Sequence, residues 1–145
     1  MAALALNIAE AVRSLPEGPL LMGYAPGCDQ DKIINAVQSG VNVLFWFSIA
    51  LVNDGGVPAI TGGPDLDCIA STAATLTSLG LETTHMVSVG GWDAPHPTTD
   101  FPAEEMYAAF KDWNDKIVAR AGIPNGFDGI DWDLEGNDTP SDPNN

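Results

Sequence analysis

Apolar residues recur along this chain with two patterns, one typical of strands and one typical of helices, and segments of the two patterns alternate. Short, nearly continuous apolar runs are typical of buried strands and occur at 19–26, 41–52, 84–91 and 126–136. Apolar residues three or four positions apart indicate amphipathic helices at 29–40, 65–80 and 103–122. The same spacing in Leu4, Ile8, Val12 and Leu15 predicts one more helix, within residues 1–18.

The order of these segments predicts the fold class. Strands that alternate with helices form right-handed βαβ units around a parallel sheet. We therefore predict a single α/β domain over residues 1–145, with four parallel strands in the order 1-2-3-4 and three connecting helices. Residues 53–64, which are rich in glycine and proline, predict a loop, and residues 137–145 predict a loop tail.

The composition is that of a globular and strongly acidic protein. Hydrophobic residues make up 45% of the 145 residues, and 20 acidic side chains against 5 basic ones give a formal net charge of −15. This charge repels phosphate backbones and anionic lipid surfaces, so we expect no nucleic-acid partner. No apolar run has the roughly 18 residues that cross a bilayer, and the first residues lack the basic start of a secretory signal. We therefore expect no membrane insertion.

The cysteines and histidines show no metal-binding pattern. Cys28 and Cys68 belong to no CxxC motif or Cys/His cluster, so we expect neither a metal nor a cofactor. The sequence leaves open whether the two cysteines are bridged, and we favour free thiols. His85 and His96 lack the spacing of a ligand pair, and we predict loop or surface positions for both.

The last predicted strand carries acids at every second position. Asp131, Asp133 and Glu135 are expected on one face of the strand, and the apolar residues between them on the other. Strands of parallel sheets are normally apolar on both faces, so three carboxylates on one face require a polar lumen or cleft. Such neighbours titrate as a coupled system, which can hold one acid protonated beside an ionised carboxylate. Glycosidic cleavage requires that pair.

Three other interpretations of this segment fit less well. A solvated acidic face on an edge strand agrees with the net charge, but the regular alternation and Gly129 count against it. A calcium-binding loop that starts at Asp131 would have Asp138 where an apolar residue belongs and Asp142 where a glutamate belongs. The DxDx[TV] motif of phosphate-transferring enzymes would need threonine or valine at Glu135.

Two motifs resemble a known family. Residues 127–135, FDGIDWDLE, resemble the DGxDxDxE signature that glycoside hydrolase family 18, the chitinases and their relatives, carries on the fourth strand of a (βα)8 barrel. The form D-aromatic-D-aliphatic-E is most similar to the compact branch that includes the plant class III enzymes. Residues 88–92, SVGGW, resemble the family's SxGG motif on the third strand. The resemblance covers about 20–136 and implies a partial TIM barrel.

The resemblance also implies a mechanism. Glu135 would be the general acid that protonates the glycosidic oxygen and later activates water. Asp133 would orient the 2-acetamido group of the substrate, whose carbonyl oxygen attacks the anomeric carbon, and would stabilise the resulting oxazolinium ion. Asp131 would exchange a hydrogen bond or proton with Asp133. This substrate-assisted retention departs from the scheme with two flanking carboxylates.

Further residues receive roles from the same resemblance. Aromatic rings stack on pyranose rings, and the substrate-binding candidates are Trp92, Tyr24, Phe47 and Gly91, the last with a plain turn role as the alternative. Residues expected to support the motif structurally are Asp128, Ser88 and Gly90.

The chain is short for the implied fold. A complete (βα)8 barrel takes about 250 residues, whereas this sequence supplies three βα units and a fourth strand. No segment matches the family's Met-x-Tyr-Asp segment or its tryptophan on the eighth strand. We therefore expect a half-barrel, truncated or completed by a partner chain or a second copy. The implied function is hydrolysis of chitin or β-1,4-linked N-acetylglucosamine oligomers, in an extracellular or organellar compartment by family habit. The alternative is a non-catalytic carbohydrate-binding or structural subunit.

Overall fold

The structure is a computed structural model that describes residues 15–92 and 94–136. Its elements, in chain order, are β1 (Met22–Ala25), α1 (Gln30–Gln38), β2 (Val43–Asp54), β3 (Val57–Gly62), α2 (Leu66–Ser78), β4 (Thr84–Trp92), α3 (Ala103–Trp113), a π-helical turn (Asn114–Val118) and β5 (Gly129–Glu135). The predicted α/β class, with a parallel sheet and three connecting helices, is confirmed.

Four strands of the sheet are parallel and a fifth is antiparallel. The parallel strands lie in the order β1-β2-β4-β5, and β3 pairs with the second half of β2. Ile49 pairs with Gly62 of β3 on one edge of β2 and with Val89 of β4 on the other. β3 therefore lies on the same edge of β2 as β1, beyond the carboxyl end of β1. The result is a curled, mostly parallel sheet with helices on its outer face.

The hairpin of β2 and β3 corrects the sequence prediction. Residues 53–64 were expected to form a loop, but Val57–Gly62 form a strand whose pairing closes at Asp54 and Val57. Gly55 and Gly56, at φ of 62° and 92°, supply the two positive φ angles of a tight hairpin turn. The Gly-Gly pair was the available signal, and the proline in the strand concealed it.

The third helix is also shorter than predicted. It ends at Trp113, and the π-helical turn that follows is closed by the Ala119 N–H donating to the Asn114 carbonyl over 3.0 Å. The wider turn shifts the apolar stripe by one residue. Val118 is therefore fully buried, whereas Ile117, which the α-helical spacing from Phe110 and Trp113 would bury, is 56% exposed.

The core lies between the outer face of the sheet and the helices. Trp46, Val87 and Val89 point outward from the two central strands and are completely buried. Ile69 and Leu76 of α2 pack against this layer, together with Met106 and Phe110 of α3. Burial against the helices is the main stabilisation of the two central strands.

A disulfide joins the first two βα units, which corrects the preference for free thiols. Cys28 follows β1 and Cys68 lies in the first turn of α2, and their Cα atoms are 6.1 Å apart. The bridge closes a loop across 40 residues and so restricts the unfolded chain. No sequence spacing identifies such a pair, because the fold alone brings the two loops together.

Two predictions fall largely outside the described residues. The helix predicted in residues 1–18 overlaps them only at 15–18, which are not helical, and the tail at 137–145 does not overlap them. Within 15–92 and 94–136, no helix is long and apolar enough to cross a membrane.

Candidate active site

The alternating acids of β5 lie on the inner face of the sheet. In the register of β4 and β5, Asp131 is opposite Ser88, Asp133 is opposite Gly90, and Glu135 is opposite Trp92. All three acids point away from the helices, as the period of two predicts. Asp131 and Asp133 are half-buried, and Glu135 is exposed at the carboxyl end of the strand.

Two polar clamps fix the start of β5. The buried side chain of Asn114 donates to the carbonyls of Asn125 (3.2 Å) and Phe127 (3.0 Å) and accepts from the Phe127 N–H (2.8 Å). Asp128 accepts the His85 N–H at Oδ2 and donates its own N–H to the His85 carbonyl, both at 2.8 Å. Asp128 thus joins the strands β4 and β5, whereas Asn114 carried no sequence signal.

Asp131 lies between two hydroxyl groups from other strands of the sheet. The fully buried Ser88 of β4 donates its Oγ–H to Asp131 Oδ2 over 2.8 Å, and the phenol of Tyr24 on β1 approaches the same carboxylate across the inner face. Burial raises the pKa of Tyr24, and the charge and hydrogen bond of Asp131 raise it further. Asp133 and Glu135 add to this effect through their charges. Tyr24 is therefore a stable proton donor at neutral pH.

A shallow cleft of about 280 Å³ opens beside the acids. It is lined by Tyr24, Pro26, Phe47, Asp133 and Glu135. Three strands contribute to it, since Tyr24 belongs to β1, Phe47 to β2 and the two acids to β5. The rings of Tyr24 and Phe47 meet edge to face with centroids 6.2 Å apart. The cleft combines aromatic walls with carboxylates, a lining suited to a sugar ring.

The two glycines of the SVGGW motif are required for different reasons. A Cβ on Gly90, at φ of 107°, would collide with the Asp133 carbonyl oxygen. A Cβ on Gly91, at φ of 119°, would lie 2.6 Å from the ring of Phe47. Gly90 therefore brings β4 close to β5, whereas Gly91 makes room for an aromatic wall of the cleft. Neither is merely a turn glycine.

The remaining aromatic candidate lies apart from the cleft. Trp92 is 74% exposed at the carboxyl end of β4 and does not line the cavity. Tyr24 is 55% exposed and Phe47 is half-buried, so both present ring surface to solvent on the inner face. Pro26, which the sequence did not single out, completes the wall after β1.

The surface or loop position predicted for His85 is wrong. His85 lies in β4, is 3% exposed, and accepts a hydrogen bond at Nδ1 from Trp46 Nε1 over 3.1 Å. The two rings are nearly parallel, with centroids 6.0 Å apart. His96 lies in the loop between β4 and α3, as expected, and is half-buried. His85 therefore belongs to the core, on the same face of β4 as Val87.

Within the described residues, no group of three histidine, cysteine or acidic side chains could hold a metal ion. Residues 131–135, with which the loop of the calcium alternative would begin, belong to the extended strand β5.

The comparisons with known proteins return nothing that could assign the chain. No protein-family description, no curated protein and no solved structure matches it.

Proposed function

We propose that this chain carries the acidic half of a chitinase-like glycoside hydrolase site. The sheet would be the first half of a (βα)8 barrel, and its inner face would line the lumen. One observation carries the proposal: Asp131, Asp133 and Glu135 share the inner face of β5 beside a cleft with aromatic walls. The similarity of the two motifs to glycoside hydrolase family 18 supports the same assignment.

The spacing of the acids favours substrate-assisted chemistry. Alternate residues of one strand are about 6.6 Å apart along it and point the same way, so they cannot flank a sugar from opposite sides. Glu135, the outermost and most exposed of the three acids, would protonate the glycosidic oxygen of a bound polymer. Asp133 would face the 2-acetamido group. The carbonyl oxygen of this acetamido group would attack the anomeric carbon as the leaving oxygen takes the proton from Glu135.

Asp131 would act through Asp133. Its position is set by hydroxyls from two other strands, Ser88 of β4 and Tyr24 of β1. Held there, Asp131 is next to Asp133 on the same face of β5 and would exchange a hydrogen bond or proton with it, which would orient Asp133 toward the acetamido group. Water then attacks the oxazolinium ion from the face of Glu135, and the carboxylate accepts its proton.

The open cleft limits what the described residues do alone. Electrostatic catalysis is strongest where water is excluded. Here the strands cover the acids on one side, and the other side is open to water. We propose that efficient hydrolysis needs further strands to close the lumen. The substrate class would be chitin or β-1,4-linked N-acetylglucosamine oligomers. The Cys28–Cys68 bridge suits an oxidising compartment, in line with the location that the family resemblance implies.

A second candidate function rests on the same openness. The exposed rings of Tyr24 and Trp92 could bind an N-acetylglucosamine polymer without cleaving it. In that case the acids would hydrogen-bond to sugar hydroxyls, and the chain would be a carbohydrate-binding or structural subunit.

Hydrolysis of a chromogenic N-acetylglucosamine oligomer separates the two candidates. Under the enzyme proposal the 145-residue chain releases chromophore slowly, because its cleft is open to water, and Glu135→Gln abolishes the release while retaining oligomer binding by calorimetry. Glu105→Gln, an acid in the first turn of α3, is the matched control and keeps full activity. Binding without turnover in the wild type would favour the second candidate. A chain that neither binds nor hydrolyses the oligomer would overturn both.

A further inference from the structure

The first strand of the sheet continues into a short part of the cleft wall. β1 ends at Ala25, which pairs with Trp46 of β2, and residues 26–28 then lead towards α1. We call these three residues the wall segment. Its first residue, Pro26, lines the cleft together with Glu135. The wall segment therefore contributes to the proposed site from outside the sheet.

Few non-covalent contacts fix the wall segment. In the described part of the chain, none of its backbone groups is paired with another backbone group. Pro26 and Gly27 are exposed, and a Cβ on Gly27 would have no atom of a more distant residue within 4 Å. Cys28 is half-buried and packs against the core. The wall segment is thus fixed mainly at its Cys28 end.

A cavity lies on each side of the wall segment. The cleft of about 280 Å³ is on the inner side, and a groove of about 570 Å³ runs along the outer side, between β1 and α1. Among the described residues, Pro26 and Tyr24 line both cavities. Tyr24 is fixed by strand pairing with Phe45, whereas Pro26 lies beyond the last pair of β1. A segment with so few contacts on either side opens locally at a low cost in free energy.

The disulfide supplies the attachment that the wall segment otherwise lacks. It joins Cys28 to Cys68 in the first turn of α2. Thr72 Oγ1 donates to the Cys68 carbonyl over 2.8 Å, and Ile69, the next residue, is completely buried, so this turn is held firmly. The bridge therefore fixes Pro26, two residues before Cys28, through a helix of the core.

We propose that the Cys28–Cys68 bridge positions this wall of the cleft, and that its reduction by a dithiol loosens the cleft while the sheet stays folded. The ligand in this inference is that of the proposed function, whereas the motion of the wall segment does not depend on it. A released wall segment has to be ordered again whenever a sugar binds, and this cost lowers the affinity.

The reduction is a thiol–disulfide exchange. A thiolate of the dithiol attacks one sulfur of the bridge and displaces the other as a thiolate. The second thiol of the dithiol then breaks the mixed disulfide, so that the dithiol leaves as a cyclic disulfide and its two protons pass to the cysteine thiolates. Cys28 and Cys68 are both half-buried, which leaves the bridge within reach of a small dithiol.

NMR relaxation measures the motion without any ligand. The backbone order parameters of Gly27 and Cys28 should fall from about 0.85 in the oxidised chain to below about 0.6 after reduction by dithiothreitol. Those of Phe45 and Trp46 in β2 should not change, and circular dichroism should show the same fold in both states. In Cys28→Ser/Cys68→Ser the wall segment should be mobile with and without dithiothreitol, which controls for the reagent itself.

Calorimetry with an N-acetylglucosamine oligomer measures the consequence for the cleft. Reduction should raise the dissociation constant about tenfold, and reoxidation should restore it. Cys28→Ser/Cys68→Ser should bind as weakly as the reduced chain and should not respond to dithiothreitol. Pro26→Gly removes the side chain that the bridge positions, so reduction of this variant should change its affinity by less than about twofold.

Order parameters that do not change on reduction would overturn the inference. A loss of the folded circular dichroism signal would overturn it too, because the bridge would then hold the whole chain rather than the wall segment. A mobile wall segment with unaltered affinity would have the same consequence. An oxidised chain that binds no oligomer would instead refute the proposed function, and the order parameters would still decide whether the bridge fixes the wall.

Discussion

The two central strands and the two edge strands belong to one sheet, yet they are buried to very different degrees. Trp46 on β2 and Trp132 on β5 both point to the outer face, but Trp46 is fully buried and Trp132 is 58% exposed. Trp46 is covered by helices and donates its indole N–H to His85. Trp132 has no such cover in the described residues. The residue type alone therefore does not determine its contribution to stability.

This difference also separates stability from function. The central strands β2 and β4 form the core, whereas the candidate catalytic acids lie on the edge strand β5. The acids depend on the centre for their position, because Ser88 and Gly90 of β4 hold Asp131 and Asp133 in place. A site on an edge strand can be completed by a further strand on its open side.

Truncation of the two tryptophans should show the largest contrast. Trp46→Ala removes a fully buried ring and its hydrogen bond, and we expect it to lower the free energy of unfolding by about 3–5 kcal/mol. Trp132→Ala should lower it by less than about 1 kcal/mol, because most of that side chain is already in water. Urea unfolding measures both. Equal losses would contradict the assignment of β5 as an uncovered edge.

Removal of the disulfide should have the next largest effect, and it concerns one edge only. The bridge ties the loop after β1 to α2, whereas β5 is held by non-covalent contacts. The variant Cys28→Ser/Cys68→Ser should lose about 4 kcal/mol of unfolding free energy, since the unfolded chain regains the freedom of a loop spanning 40 residues. Reductant should destabilise the wild type similarly and leave the double variant unchanged. A wild type that is insensitive to reductant throughout unfolding would contradict this bridge.

Glycine substitutions should separate close strand packing from backbone strain. Gly90→Ala places a methyl group against the Asp133 carbonyl at φ of 107°, and we expect a loss of about 3 kcal/mol in the free energy of unfolding. Gly80→Ala, at φ of 71° with open space around it, is the matched control and should lose about 1 kcal/mol. Similar losses in the two variants would mean that β4 and β5 are less closely packed than described.

Periodicity predicted the parts of this fold that depend on local sequence. The three helices, the four parallel strands and the shared face of Asp131, Asp133 and Glu135 follow from spacing alone. What it missed depends on contacts between distant segments: the bridge between Cys28 and Cys68, the burial of His85 beside Trp46, and the Asn114 clamp. The catalytic roles come from the similarity of two motifs to a known family, and they stay a prediction until activity is measured.

The smallest effect concerns the contact between the first edge strand and the last. Burial and the carboxylate of Asp131 raise the pKa of Tyr24 above its ordinary value near 10.0. A raised folded pKa stabilises the protein below pH 10, and this contribution is lost as the pH rises through the folded value. In a Tyr107→Phe background, which leaves one tyrosine, absorbance at 295 nm should report this late ionisation. Asp131→Asn should lower the pKa of Tyr24 without restoring its ordinary value, because the burial remains. The control variant, Asp112→Asn on α3, removes only a surface ion pair with Lys116 and should leave the pKa of Tyr24 unchanged. An unaltered Tyr24 titration in Asp131→Asn would mean that β1 and β5 do not meet across the inner face.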